Sequence, residues 1–267
     1  MIKNILPKHY IEHEYFDEME KYLKIGDRVL YFSHNYKELP EYGKNVIVVL
    51  TAGDERGNPP RYWNKVGHVF KHQYNYDGNE KYPNVFHIPL TPIAGFSGDN
   101  SIPIHERKYD VSFVGRTQKR KDFIESCNSI NKRYKSYIKI TGSQWSNRSA
   151  ESLSVEEYSN IMKNTKIVLS PRGAARVECL RFSEAVKCGC GIITPIYPDV
   201  RAFQECMYTS IKNWDNINKR IEVTLKNIEV INKNMVKCWD KYFCPKAVAE
   251  YINMVIYKGE RNETKKI

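Results

Sequence analysis

The sequence of 267 residues contains no apolar run near the ~18–20 residues that a membrane-spanning helix needs. Its opening, MIKNILPKHYIEHEYF, has no signal-peptide core. Both absences predict a soluble, cytoplasmic protein. The seven cysteines, Cys127, Cys179, Cys188, Cys190, Cys206, Cys238 and Cys244, are odd in number and irregularly spaced. None forms a CxxC, and no histidine pair stands at zinc-finger spacing, so free, partly buried thiols are expected and a metal or redox site is the minor alternative. A GxGxxG after the first strand-like run is missing, which removes the dinucleotide signature. There is no internal repeat. An RRM aromatic signature, a zinc finger and an isolated basic helix are missing too, which weighs against nucleic acid as a partner.

What is present begins with charge. Lys and Arg number 42 against 31 Asp and Glu, a formal balance of +11. Such a surface attracts anions: nucleic acid, phosphorylated small molecules or an acidic membrane face met peripherally. A composition of 41% hydrophobic and 27% charged residues allows a real core. The length suits one large α/β unit or two domains.

Periodicity predicts a helix over residues 11–26 and strands over RVLYFSH (28–34), NVIVVLTAG (45–53), GHVFKHQYN (67–75) and NVFHIPLTPI (84–93). A loop-like break rich in Pro and Gly follows at 95–108. Beyond it, YDVSFVG (109–115), YIKITG (137–142), KIVLSP (166–171) and GIITP (191–195) read as strands alternating with helices. One of those helices opens with a capping box, Ser154 and Glu157. Residues 215–257 read as helical, divided at Pro245, with a loose basic tail. This alternation predicts an α/β protein with parallel sheets covered by helices. The expected division is an N-terminal domain over 1–100, a ligand-binding domain over 101–245, and a closing helix and tail over 246–267.

The densest chemistry lies in SPRGAARVECLRFSEAVKCGCGIITP, residues 170–195. An apolar run delivers the chain to a strand's carboxyl end, Arg172-Gly173 turns it, and a helix starts between Ala174 and Cys179. Helix-end N–H groups beside Arg172, Arg176 and Arg181 would make an anion site suited to a diphosphate. Glu184, deeper in the helix, suits sugar hydroxyls. Gly189 and Gly191 allow a tight turn into the next strand. The competing reading is a surface arginine cluster in which Glu184 pairs with Arg181 at i,i+3.

In its order of Arg181, Phe182, Glu184, Ala185, Gly189 and Cys190, this stretch resembles the exostosin-like glycosyltransferases. KYDVSFVGR (108–116), KYPNVFHIPLTPIAGF (81–96) and VVLTAGDE with PPRYWN resemble further segments of that family. The resemblance implies a GT-B fold: two Rossmann-like domains with parallel sheets facing a cleft, closed by C-terminal helices. It implies transfer of a sugar from a nucleotide-sugar co-substrate, expected to be a UDP-sugar, to a glycan or glycoconjugate acceptor, without metal or further cofactor. The wider pattern has two glutamates eight residues apart. Glu184 fits the second, while the first falls on Arg176, which leans the expectation towards inversion.

Inverting transfer needs a base for the acceptor hydroxyl and positive charge for the departing diphosphate. Arg116, Arg172, Arg176 and Arg181 are the candidates for the charge, with Gly173 in the turn. No acidic DxD-like pair follows a strand in the C-terminal half. The base is expected at a strand's carboxyl end in the first domain, from Asp54, Glu55 or His34, although an Asp after Gly is also ordinary turn chemistry. Gly142, Ser143 and Trp145 in TGSQWSNRS are candidates to hold the nucleobase; Trp145 would equally pack on a helix. His68, His72 and His87 are assigned structural roles, with His68 and His72 also able to line an acceptor site. Rival functions are a catalytically inactive carbohydrate- or nucleotide-binding module, a sugar-nucleotide epimerase and a nucleic-acid-binding protein.

Overall fold

The computed structural model describes residues 1–6, 11–33, 38–51, 62–73, 82–116, 120–141, 153–173 and 177–263. The chain divides into two compact units, Met1–Ala94 joined by Lys241–Ile267, and Gly95–Asp240. Each is built on its own five-stranded parallel sheet.

In the first unit, β1 (Ile2–Asn4), β2 (Val29–Ser33), β3 (Gly43–Leu50), β4 (Val66–Lys71) and β5 (Val85–His87) lie in the order β1-β2-β3-β4-β5. Nearly continuous apolar runs make the middle strands, because a sheet covered on both faces has no wet side to mark by alternation. Val46 to Leu50 in β3 are fully buried. One core cluster gathers Tyr31, Val46, Val48, Leu50, Trp63 and Val69. Strand β5 is shorter than the apolar run 84–93 predicts, since Pro89 and Pro92 bring no N–H to a ladder. Helix α1 (His13–Glu20) stops well before Gly26 and buries Tyr15, Phe16 and Met19. It packs against α8 (Pro245–Glu263), the last helix. The Tyr15 hydroxyl donates to the Phe243 carbonyl (2.5 Å), and Asn253 joins Tyr22 and Lys24 through its side-chain amide.

The second unit contains β6 (Tyr109–Gly115), α2 (Lys121–Asn131), β7 (Ser136–Ile140), α3 (Val155–Lys163), β8 (Thr165–Leu169), α4 (Leu180–Lys187), β9 (Gly191–Pro195), α5 (Arg201–Gln204), β10 (Thr209–Ile211), α6 (Ile217–Lys226) and α7 (Ile228–Cys238). Its sheet order is β10-β9-β8-β6-β7. The chain therefore leaves β6 towards one side and returns to the other as β8, which puts a topological switch point between these two strands. Val111, Phe113, Phe123, Ile167, Leu169, Ile193 and Trp214 form the core beneath. All seven cysteines are free thiols, and five of them are buried. Among the described residues no helix is long and apolar enough to cross a membrane.

Candidate anion-binding site at the switch point

Helix α4 begins at Leu180, with Cys179 as its N-cap. Its far end closes by a Schellman arrangement: Gly189 N–H donates to Val186 O (2.9 Å) and Cys190 N–H to Ala185 O (3.0 Å). Gly189 has φ +63°, and a Cβ there would stand 2.5 Å from Asn232 Nδ2, so glycine serves both the turn and the close approach. These ends fix the rotation of α4, which buries Arg181 and Glu184 at 8% and 2% exposure. Arg181 and Glu184 are therefore not part of a surface charge cluster.

Arg181 reaches the carboxyl end of β6. Its Nη2 donates to Val114 O at 2.7 Å, its Nη1 lies 3.6 Å from Cys179 Sγ, and its guanidinium covers the Phe113 ring at 4.7 Å. Among the described residues its buried Nε has no hydrogen-bond partner. Gly115 makes the approach possible, because a Cβ there would meet Arg181 Nη2 at 2.6 Å and Phe113 Cζ at 3.0 Å.

A second arginine, Arg120 at the N-cap of α2, completes the cradle. It donates from Nη1 to Arg116 O (2.9 Å), and from Nε and Nη2 to Arg172 O (3.0 and 2.8 Å). One side chain thus ties the segment after β6 to the segment after β8. Burial, then the neighbouring charges of Arg181 and Arg116, push Arg120 down to about 10. Neither Arg120 nor Arg181 has a carboxylate within ion-pair distance among the described residues. A buried and a half-buried cation, hydrogen-bonded to carbonyls and with Glu184 acting on Arg181 only beyond ion-pair distance, favour an anion arriving from outside.

The acid next to them is Glu184. Its Oε2 accepts from the Tyr158 hydroxyl of α3 at 2.6 Å. Burial, and then the Glu184 charge, hold the Tyr158 phenol well above its usual range. The arrangement offers positive charge at the switch point and a held carboxylate one helical turn further along α4.

Of the other candidates, Arg116 is half-buried directly after β6, Arg172 is exposed after β8, and Gly173 is buried in the turn, its N–H donating to Val177 O at 3.4 Å. Arg176, Gly142, Ser143, Trp145, Asp54, Glu55 and His34 lie outside the described residues. In the first unit His72 is buried, with Nε2 3.3 Å from Glu12 Oε1 and Nδ1 3.1 Å from Ile88 O. His68 stacks with Phe70 and Phe86. Among the described residues no cluster of three His, Cys, Asp or Glu is placed to hold a metal ion.

Sequence reasoning missed Arg120 and Tyr158. Arg120 sits in the basic run KRK and reads as an ordinary solvated helix start. Only its position, just past a strand that flanks a switch point, could have marked it.

No sequence-family model and no curated protein matches the chain. Solved structures do. The chain is similar to AviGT4, a glycosyltransferase involved in avilamycin A biosynthesis, with TM-score 0.53 and 12% identity over 93% of this chain and 88% of that one. It is similar to sucrose-phosphate synthase from Thermosynechococcus elongatus, with TM-score 0.52 and 12% identity over 87% and 74%. The chain has a GT-B fold. A third structure with it, the GtfA/B complex, gives TM-score 0.52 and 9% identity over 92% of this chain, which spans 59% of that one. In GT-B terms, β6, β8 and α4 are the elements at the switch point of the second Rossmann-like sheet.

Proposed function

We propose that this protein is a glycosyltransferase whose second unit holds a nucleotide-sugar, a UDP-sugar in our reading, and which passes the sugar to a hydroxyl of a glycan or glycoconjugate. The observation that carries the proposal is the pair of half-buried Arg120 and buried Arg181 at the switch point, without a carboxylate in ion-pair distance among the described residues, with Glu184 nearby. The arginines would take the diphosphate and Glu184 the ribose hydroxyls. The exostosin-like order from Arg181 to Cys190 belongs to the same proposal.

In the reaction we assign, a base removes the acceptor proton as the acceptor oxygen forms its bond to the anomeric carbon. The bond from that carbon to the phosphate oxygen breaks, and the nucleoside diphosphate leaves with the electron pair. Attack from the opposite face inverts the anomeric centre. Fixed guanidinium groups aimed at the leaving diphosphate supply stabilisation where negative charge grows, so we propose that no metal is required. For the base we retain Asp54, Glu55 and His34, which follow β3 and β2. A Rossmann-like sheet presents its ligand at those carboxyl ends.

Calorimetric titration with UDP, GDP, CMP and NAD tests the reading. UDP is expected to bind and NAD not to bind; a protein that binds no nucleotide at millimolar concentration overturns it. Hydrolysis of UDP-sugars that persists in EDTA tests metal independence.

A further inference from the structure

We infer that Phe113 is a positioning residue for the diphosphate: the face of its ring holds the guanidiniums of Arg181 and Arg120 in place without cancelling their charge. The inference rests on the proposed placement of a diphosphate at these arginines.

The ring itself is firmly held. Phe113 lies on β6, is buried to 1% exposure, and meets Phe123 of α2 edge to face with centroids 4.6 Å apart. Trp214 holds Phe123 in the same way, also at 4.6 Å. Two cations from separate parts of the chain come to this stack. The Arg181 guanidinium carbon stands 4.7 Å from the Phe113 centroid, and that of Arg120 stands 5.9 Å from it. The two groups are neighbours, because a Cβ placed on Gly115 would lie 2.6 Å from Arg181 Nη2 and 3.5 Å from Arg120 Nη1.

Like charges this close repel, and the charge of Arg181 acts against that of Arg120. Hydrogen bonds to Val114 O, Arg116 O and Arg172 O oppose the repulsion at single N–H groups. The ring adds an attraction through its quadrupole, whose negative face draws a cation. A carboxylate in that place would also hold the pair, but it would neutralise one of the charges that a diphosphate needs. An aromatic face carries no net charge, so it gathers the arginines and leaves their charge intact. A diphosphate then meets a pair already in position, and less ordering is left for the binding step.

The test replaces Phe113 by mono-, di- and trifluorophenylalanine, which drain the ring face of negative charge in steps while changing its volume little. By calorimetry, UDP affinity is expected to fall stepwise, to about tenfold below wild type in the trifluoro form. Phe113→Leu, which is apolar but has no ring face, is expected to bind at least as weakly as the trifluoro form. On an Arg181→Met background the fluorine steps are expected to shrink, because only the more distant cation remains. A purely structural role for the ring predicts no graded response to its electronics. A flat series, steps of undiminished size without Arg181, or wild-type affinity in Phe113→Leu overturns the inference. Wild type that binds no UDP overturns the nucleotide site itself; wild type that binds UDP with a flat fluorine series overturns only the role of Phe113.

Discussion

Each unit has its own five-stranded parallel sheet, yet the described residues at the two carboxyl edges differ in chemistry. In the first, strand order follows chain order, and polar groups at the edge are buried: Ser33 ends β2, Thr51 follows β3, and Glu12 accepts from Thr91 (2.7 Å) close to His72. In the second, the order reverses at β6 and β8, and the edge there carries Arg120 and Arg181 with no acid in ion-pair range among the described residues. Among the described residues, the same architecture thus sets Glu12 beside His72 at one edge and holds Arg120 and Arg181 on backbone carbonyls at the other. Strand order makes the difference, because a crevice opens only where successive connections depart to opposite sides of the sheet.

The contrast can be broken at either edge. Glu12→Ala should remove about 3 kcal/mol of stability, since it strands a buried histidine and hydroxyl. Chemical denaturation would show it, and nucleotide affinity measured on the folded protein should stay unchanged. Arg181→Met should weaken UDP binding about 100-fold by calorimetry, because it deletes a buried cation from the anion site. Gly115→Ala should cost about 2 kcal/mol of stability through overpacking, and should lower UDP affinity by displacing the Arg181 guanidinium. The smallest effect concerns protons. Arg120, held down to about 10 in the free protein, should regain its charge when a diphosphate arrives. Binding near pH 9.5 should then take up a fraction of a proton, and binding at pH 7, where the arginine is already charged, none. Calorimetry in buffers of different ionisation enthalpy separates the two cases; proton release at pH 9.5 would contradict the assignment. In the absence of ligand the sign is that of a lowered cation. Folding is penalised while Arg120 is charged, and the penalty fades as pH rises from about 10 towards its unfolded value.

Much of the fold was legible because buried parallel strands write themselves as apolar runs: β3, β6, β8 and β9 lie within the segments read as strands to within about two residues. The capping box at Ser154 was equally plain, since its two partners are three residues apart. Strands β1 and β10 were not legible. Each has three residues, too few for any period, and exists because a neighbouring strand offers a ladder. At the site, Arg181 and Glu184 stood out through local spacing. Arg120 did not, because its role consists of reaching a carbonyl 52 residues away. Tyr158 was hidden for the same reason: nothing within a window of sequence joins it to Glu184.

The division of the chain also bears on how it folds. The second unit is a single uninterrupted stretch, whereas the first is split, and its α1 lacks its packing partner until α8 has been made. During synthesis all five strands of the first sheet emerge ahead of the second unit, and only the partner of α1 comes after it. The inserted sheet has all its strands while α1 still exposes the apolar face of Tyr15, Phe16 and Met19. Covering that face is thus a long-range task, left to residues that follow the whole of the second unit.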